Sequence, residues 1–222
     1  KIGTEPYINF NMANHPVFGA SLGDALSWIE YVNGSTETIM GKKRAHNGHE
    51  EPYGVKYWGI GNENYGSYGI NKKETAVQYA ERLLRWSSAI RFQYPDLELL
   101  GVGYTYEWND TILQKNGGLI DFLTIHFYMG AKVKDEKLQN PEQTLYSPAK
   151  IEVHLQKNAE LLNVINTKFG RTDKPVRFSI DEWNCRHSVF NGEKYTFTRN
   201  DPRRLFDIVT IAGMLNVFIR QS

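Results

Sequence analysis

Short apolar segments alternate with stretches of helical periodicity along almost the whole chain, and this alternation limits the fold more than any other feature. Glu5 to Asn11 reads as a strand, with Tyr7, Ile8 and Phe10 as its apolar set. Ser21 to Asn33 reads as a helix, with Ala25, Trp28, Ile29 and Val32 at helical spacing and Gly34 placed to stop it. A polar stretch from Ser35 to Gly54 reads as loop, and Lys56 to Gly61 as the second strand. Glu74 to Tyr94 is the clearest helix: Ala76, Ala80, Leu83, Ser87 and Ile90 fall on one face, and Pro95 ends it. Leu97 to Val102 and Asp121 to Tyr128 follow as strands, separated by a short helix from Trp108 to Lys115. A polar loop leads to a long helix from Pro148 to Phe169. Arg177 to Trp183 is the fifth strand, and Pro202 to Arg220 the last helix.

Strands that alternate with helices imply a parallel sheet, either an open doubly wound sheet or a closed (β/α)8 TIM barrel. Gly59-Ile60-Gly61-Asn62-Glu63 has two glycines but not the third of a dinucleotide-binding loop, and it carries a glutamate where a phosphate would need backbone amides. The barrel is therefore the stronger choice.

Composition narrows the partners. Against 25 acidic residues stand 26 basic ones, a formal net charge of +1 with no basic run, so a nucleic-acid partner is not expected. The single cysteine, Cys185, excludes an internal disulfide and a multi-cysteine metal site. No segment approaches the roughly 18 to 20 apolar residues of a membrane span. No signal peptide is visible, and the chain opens on Lys1-Ile2-Gly3, which suggests that the true N-terminus is missing. A cytoplasmic location is the expectation.

Two of the strands end in a glutamate. Val55 to Glu63 reads Val-Lys-Tyr-Trp-Gly-Ile-Gly-Asn-Glu, and Val176 to Asn184 reads Val-Arg-Phe-Ser-Ile-Asp-Glu-Trp-Asn. Barrel enzymes carry their chemistry at the C-terminal ends of the strands, and two carboxylates across one pocket are what a glycosidase needs. His126 and Tyr128 are two apart on one strand and so face the same side; either can hydrogen-bond a carboxylate or a sugar hydroxyl. Glu63, His126 and Glu182 could also surround a cation, but no His-x-His, Glu-x-x-His or cysteine pair supports a metal. Cys185 and His187 form a conceivable nucleophile pair that nothing else in the sequence orients.

These segments resemble α-L-arabinofuranosidases of glycoside hydrolase family 51. The stretch at 55–63, preceded by Asn47-Gly48-His49-Glu50-Glu51-Pro52-Tyr53, is similar to the family's acid/base segment, and Phe178 to Asn184 to its nucleophile segment. Glu5 to Asn11, Ile125 to Tyr128 and Ala212 to Asn216 fall in the expected order around them. The resemblance implies a retaining hydrolase that removes terminal α-L-arabinofuranosyl residues from plant polysaccharides or arabino-oligosaccharides. Glu63 would be the acid/base and Glu182 the nucleophile. Asn62 would bind the 2-hydroxyl, His126 and Tyr128 would line the arabinofuranose subsite, and Trp183 joins the substrate-binding set. No cofactor or metal is implied. A clan-related β-xylosidase or endoglucanase, or a non-catalytic carbohydrate-binding barrel, remains the alternative.

By the same resemblance, residues 1–222 form a partial catalytic barrel covering roughly strands 3 to 7. The family's first two strands, its eighth strand and its accessory β-sandwich are not represented. The 222-residue piece alone is expected to be inactive, and a homo-oligomer is expected only of the full-length protein.

Overall fold

The computed structural model describes residues 3–13, 15–67, 72–200 and 202–222. In chain order the elements are β1 (Tyr7–Phe10), α1 (Leu22–Asn33), α2 (Ile39–His46), β2 (Tyr57–Ile60), α3 (Ala76–Gln93), β3 (Glu98–Val102), α4 (Tyr106–Asn116) and β4 (Phe122–Met129). They continue with β5 (Lys132–Lys134), β6 (Lys137–Gln139), α5 (Pro141–Leu145), α6 (Ser147–Lys168), β7 (Arg177–Cys185), β8 (Ser188–Phe190), β9 (Tyr195–Phe197) and α7 (Leu205–Arg220). The chain divides into two compact units, one of Lys1–Thr124 with Val164–Ser179, the other of Ile125–Asn163 with Ile180–Ser222. Strands β4 and β7 begin in the first and end in the second.

The first unit is built on a parallel sheet of order β1-β2-β3-β4-β7. Register is fixed by pairings such as Trp58 with Leu99 and Gly101 with Leu123. Parallel strands bury both faces, and accordingly Trp58, Ile60, Leu99, Leu100 and Val102 are all buried. Phe10 stacks on Trp58 at 5.2 Å, with Trp28 and Trp86 at its edges. Local chemistry sets the helix ends. Ser21 and Asp24 form a reciprocal cap on α1, and Thr75 and Gln78 do the same on α3.

The structure departs from the sequence expectations in two segments. The stretch from Ser35 to Gly54 is not all loop, because α2 lies within it. Its buried residues are Gly41 and Arg44, and the Arg44 guanidinium donates to the carbonyls of Tyr31, Gly34, His49 and Glu50. A helix anchored by an arginine shows no apolar stripe. The region after Met129 is not a plain loop either. In the second unit β6-β5-β8-β9 form a small sheet, with β5 parallel to β8 and the other pairs antiparallel. Strands of three residues are too short to show a period. No helix among the described residues is long and apolar enough to cross a membrane.

At the N-terminal end of the first unit's sheet, Asp121 is 3% exposed and accepts the Leu99 amide at 2.9 Å. Arg171 reaches it at 2.9 Å and Lys174 at 3.1 Å, and Arg91 also pairs with it. Burial pushes this carboxyl up, but the Leu99 amide and the two guanidinium groups outweigh it and hold the pKa below the usual range. The remaining donors of Arg91 and Arg171 go to main-chain carbonyls such as Leu119, Gly117 and Ile120. This end is a structural clamp on the strand starts.

Candidate active site

In the first unit the candidates Asn62 and Glu63 lie where the chain leaves β2. Gly61 turns the chain at φ +97°, and a side chain there would press to 2.4 Å from the Asn64 Oδ1 atom. Two residues on, Glu63 itself adopts φ +46°. A non-glycine residue in the left-handed region costs roughly 1 to 3 kcal/mol and persists only where its surroundings impose it. The imposing group is visible. Asn64 is 1% exposed and donates to Glu74 at 2.7 Å, while the Glu74 amide returns a bond to the Asn64 carbonyl at 2.9 Å. Arg82 pairs with Glu74 at 2.7 Å and also holds the Met12 carbonyl at 2.7 Å. The loop is thus pinned immediately after Glu63.

Tyr65 donates its hydroxyl to Glu63 Oε1 at 3.0 Å. Its ring lies flat on Tyr104 at 3.8 Å and meets Trp108 edge-on at 5.9 Å. On the other side, Asn62 and Glu63 join the segment from Asn9 to Ala13 in lining a cleft of about 260 Å3.

In the second unit the alternation of β4 separates two environments. Phe127 turns to the helices, 5.8 Å from His154 and 6.0 Å from Phe218. His126 and Tyr128 turn to the polar side. Tyr128 donates to Glu182 Oε2 at 2.7 Å. His126 Nδ1 stands 3.7 Å from that same oxygen, and its Nε2 stands 3.3 Å from Asp181 Oδ1. Glu182 keeps its side chain 38% exposed, whereas the His126 side chain is only 6% exposed. A carboxylate held on one oxygen by a phenol, and still open to an incoming group, suits a nucleophile.

The structure therefore brings Asn62 and Glu63 together in one unit, and His126, Tyr128 and Glu182 together in the other. Trp183, the remaining sequence candidate, places its ring 5.5 Å from Phe218 and nearly perpendicular to it, on the helix α7 side.

Two features escaped the sequence reading. One is Arg186, whose guanidinium lies 4.1 Å over the Tyr128 ring. No motif marks it. The other is the partner of Cys185 and His187. Asp207 Oδ1 accepts the Cys185 thiol at 3.2 Å and His187 Nε2 at 2.7 Å. The three residues could offer ligand atoms within 4.8 Å of one another, but the hydrogen bonding closes the cluster. The Ala131 amide donates to His187 Nδ1 at 2.9 Å, so the ring proton sits on Nε2, facing Asp207. Burial, with Asp207 beside it, pushes the Cys185 thiol up to about 12. This sets Cys185 and His187 against the nucleophile-pair reading, since the reactive form of a cysteine is the thiolate.

Residues 7–145 match the family described as the Alpha-L-arabinofuranosidase 1 domain. The chain is 30% identical over 238 residues to Alpha-L-arabinofuranosidase C of Emericella nidulans, covering all of this chain and 44% of that protein. It is 25% identical over 194 residues to an intracellular exo-alpha-L-arabinofuranosidase of Bacteroides ovatus, covering 82% of this chain and 35% of that one. Among solved structures, the arabinose complex of the Thermotoga maritima enzyme superposes with a TM-score of 0.80 at 30% identity, over 99% of this chain and 42% of that chain. The GH51 enzyme of Thermotoga petrophila gives 0.79 at 31% identity, over 96% and 40%. The chain thus spans less than half the length of these relatives, and it shares with the two structures an α/β fold with a parallel half-barrel sheet.

Proposed function

From the premise that this chain belongs to the α-L-arabinofuranosidases of glycoside hydrolase family 51, we propose that the full-length protein removes terminal α-L-arabinofuranosyl residues with retention at the anomeric carbon. Its natural substrates are arabinose side chains of plant polysaccharides or the oligosaccharides derived from them. The five strands of the parallel sheet correspond to strands 3 to 7 of an eight-fold barrel. Glu63 then follows the C-terminal end of β2 and Glu182 lies in the C-terminal half of β7, the side on which such barrels hold their chemistry.

The roles follow from the chemistry. The Glu182 carboxylate attacks the anomeric carbon as the glycosidic C–O bond breaks, and Glu63 gives its proton to the departing oxygen. The product of this step is a glycosyl ester on Glu182 and a free alcohol. Water then attacks the same carbon, Glu63 takes the water's proton, and the ester bond to Glu182 breaks to release arabinose. Glu63 needs a fixed position for both proton transfers, and the Tyr65 hydroxyl with the pinned Asn64 supplies it. Asn62 binds the 2-hydroxyl, and His126 and Tyr128 line the sugar subsite.

The observation that carries this reading is the Tyr128–Glu182 hydrogen bond between the C-terminal halves of β4 and β7, with His126 beside the same carboxylate oxygen. The experiment is a comparison of the full-length protein with its Glu182→Gln variant on a panel of aryl glycosides. Turnover of the α-L-arabinofuranoside, absent from the variant, is expected. Turnover unchanged by Glu182→Gln removes the nucleophile assignment, and a preference for the β-xyloside or β-glucoside moves the enzyme to a related activity.

A further inference from the structure

We propose that Arg186 is a positioning residue for the nucleophile, pressing on Tyr128 so that the phenol hydroxyl stays on Glu182. The proposal rests on the reading of Glu182 given above. Arg186 acts on Glu182 through its contact with Tyr128.

Three observations place the guanidinium. The first is the anchoring of the chain just past the end of β7. Cys185 and His187, on either side of Arg186, are both buried and both tied to Asp207, so the backbone that carries Arg186 is held on both sides of it. Asp207 is itself fixed, since its second oxygen accepts the Arg204 amide at 2.8 Å. The Cys185–His187–Asp207 cluster thereby anchors the backbone at Arg186.

The second observation is the close approach of the two chain segments. The Arg186 amide donates to the Met129 carbonyl at 2.6 Å. Beside it, a side chain at Gly130 would collide with the Arg186 carbonyl oxygen at 1.5 Å. Glycine at 130 is what lets the segment after Tyr128 lie against Arg186.

The third observation is the contact itself. The guanidinium carbon lies 4.1 Å from the centre of the Tyr128 ring, and Nη2 lies 3.4 Å from the phenol oxygen. Phe197 sits on another side at 5.5 Å. A planar guanidinium stacks on an aromatic face, which restricts its orientation. Its charge beside the phenol oxygen favours the O–H bond pointing away from it, and the acceptor on that side is Glu182 Oε2 at 2.7 Å. The result is a relay of contacts from Asp207 through β7 and Arg186 to Tyr128 and the carboxylate. Such a group should affect the chemical step more than ground-state sugar binding.

The test is a double-mutant cycle in the full-length protein with an aryl α-L-arabinofuranoside, using Arg186→Gln, Tyr128→Phe and the pair. Arg186→Gln should lower kcat by about 3- to 30-fold, the range of a partly desolvated cation–π contact, with KM within about twofold. In the Tyr128→Phe background the same change should cost less than about twofold, because the group it acts through is gone. An equal fall in both backgrounds, or kcat unchanged in the first, overturns the proposal. Melting temperatures are measured alongside. If Arg186→Gln does not fold, Arg186→Lys decides, because it keeps the stem and charge but not the planar face. A lowered kcat with parental KM supports the positioning role, and parental kcat refutes it. Glu182→Gln in the same assay separates the two claims. Turnover surviving there removes the nucleophile reading itself, whereas a dead Glu182→Gln with additive Arg186 effects removes only this proposal.

Discussion

Tyr128 and Glu182 meet across two strands that lie far apart in sequence, through a hydroxyl donated to Oε2 at 2.7 Å. Charge-assisted hydrogen bonds of this kind are short and orient the carboxylate. Tyr128→Phe removes the donor and little else. A hydrogen bond to a charged group contributes roughly 1.5 to 3 kcal/mol, so kcat/KM for an aryl α-L-arabinofuranoside should fall about 10- to 150-fold. Steady-state kinetics of the full-length protein measure it, and a loss under threefold would show that the bond is idle in catalysis.

Glu63 as acid/base makes a prediction that depends on the leaving group. Glu63→Ala should cripple hydrolysis of substrates with poor leaving groups and spare the first step for activated ones such as dinitrophenyl glycosides, which need no proton. Added azide should then restore turnover by replacing the water that Glu63 no longer activates. Equal losses across leaving groups would assign the residue another role.

The Asp121 clamp predicts a stability effect remote from chemistry. Asp121→Asn leaves Arg91 and Arg171 without their buried counter-charge, and breaking such a pair costs roughly 3 to 5 kcal/mol. Urea unfolding at neutral pH checks this. The folded-state pKa of Asp121 is lowered, so its contribution is fully present above the unfolded value of about 3.9 and is lost as pH falls through the folded one. The gap between parent and variant should therefore close below about pH 4.

Cys185 should be inert in the folded protein. It is fully buried and its thiol is pushed up to about 12, so at pH 8 the thiolate is on the order of one part in ten thousand. Iodoacetamide should label it only after unfolding, as mass spectrometry of native and denatured samples would reveal. Rapid native labelling would mean that the Asp207 cluster opens readily.

Much of the sheet was legible because its segments are long enough to show a period. β4 and α3 declare themselves by alternation and by the spacing of Ala80, Leu83, Ser87 and Ile90. What stayed hidden had no apolar signature. α2 is centred on buried Arg44, and β5, β6, β8 and β9 have three residues each. The site divides in the same way. Glu63 and Glu182 stand out as carboxylates ending apolar runs, and His126 with Tyr128 follows from the two-residue period. Arg186 and Asp207 depend on contacts between segments distant in sequence, which local spacing does not encode. Nor does the sequence foretell that Glu63 adopts φ +46° or that Glu74 and Arg82 hold its neighbour.

As the nucleophile of a retaining hydrolase, Glu182 carries the sugar covalently between the two displacement steps. The most direct measurement incubates the full-length Glu63→Ala variant with an activated α-L-arabinofuranoside and maps the adduct by peptide mass spectrometry. A mass gain of one arabinosyl group on Glu182 is expected, abolished by Glu182→Gln and discharged by azide. An adduct on another residue, or turnover with no adduct under conditions that stall the second step, would contradict that role of Glu182.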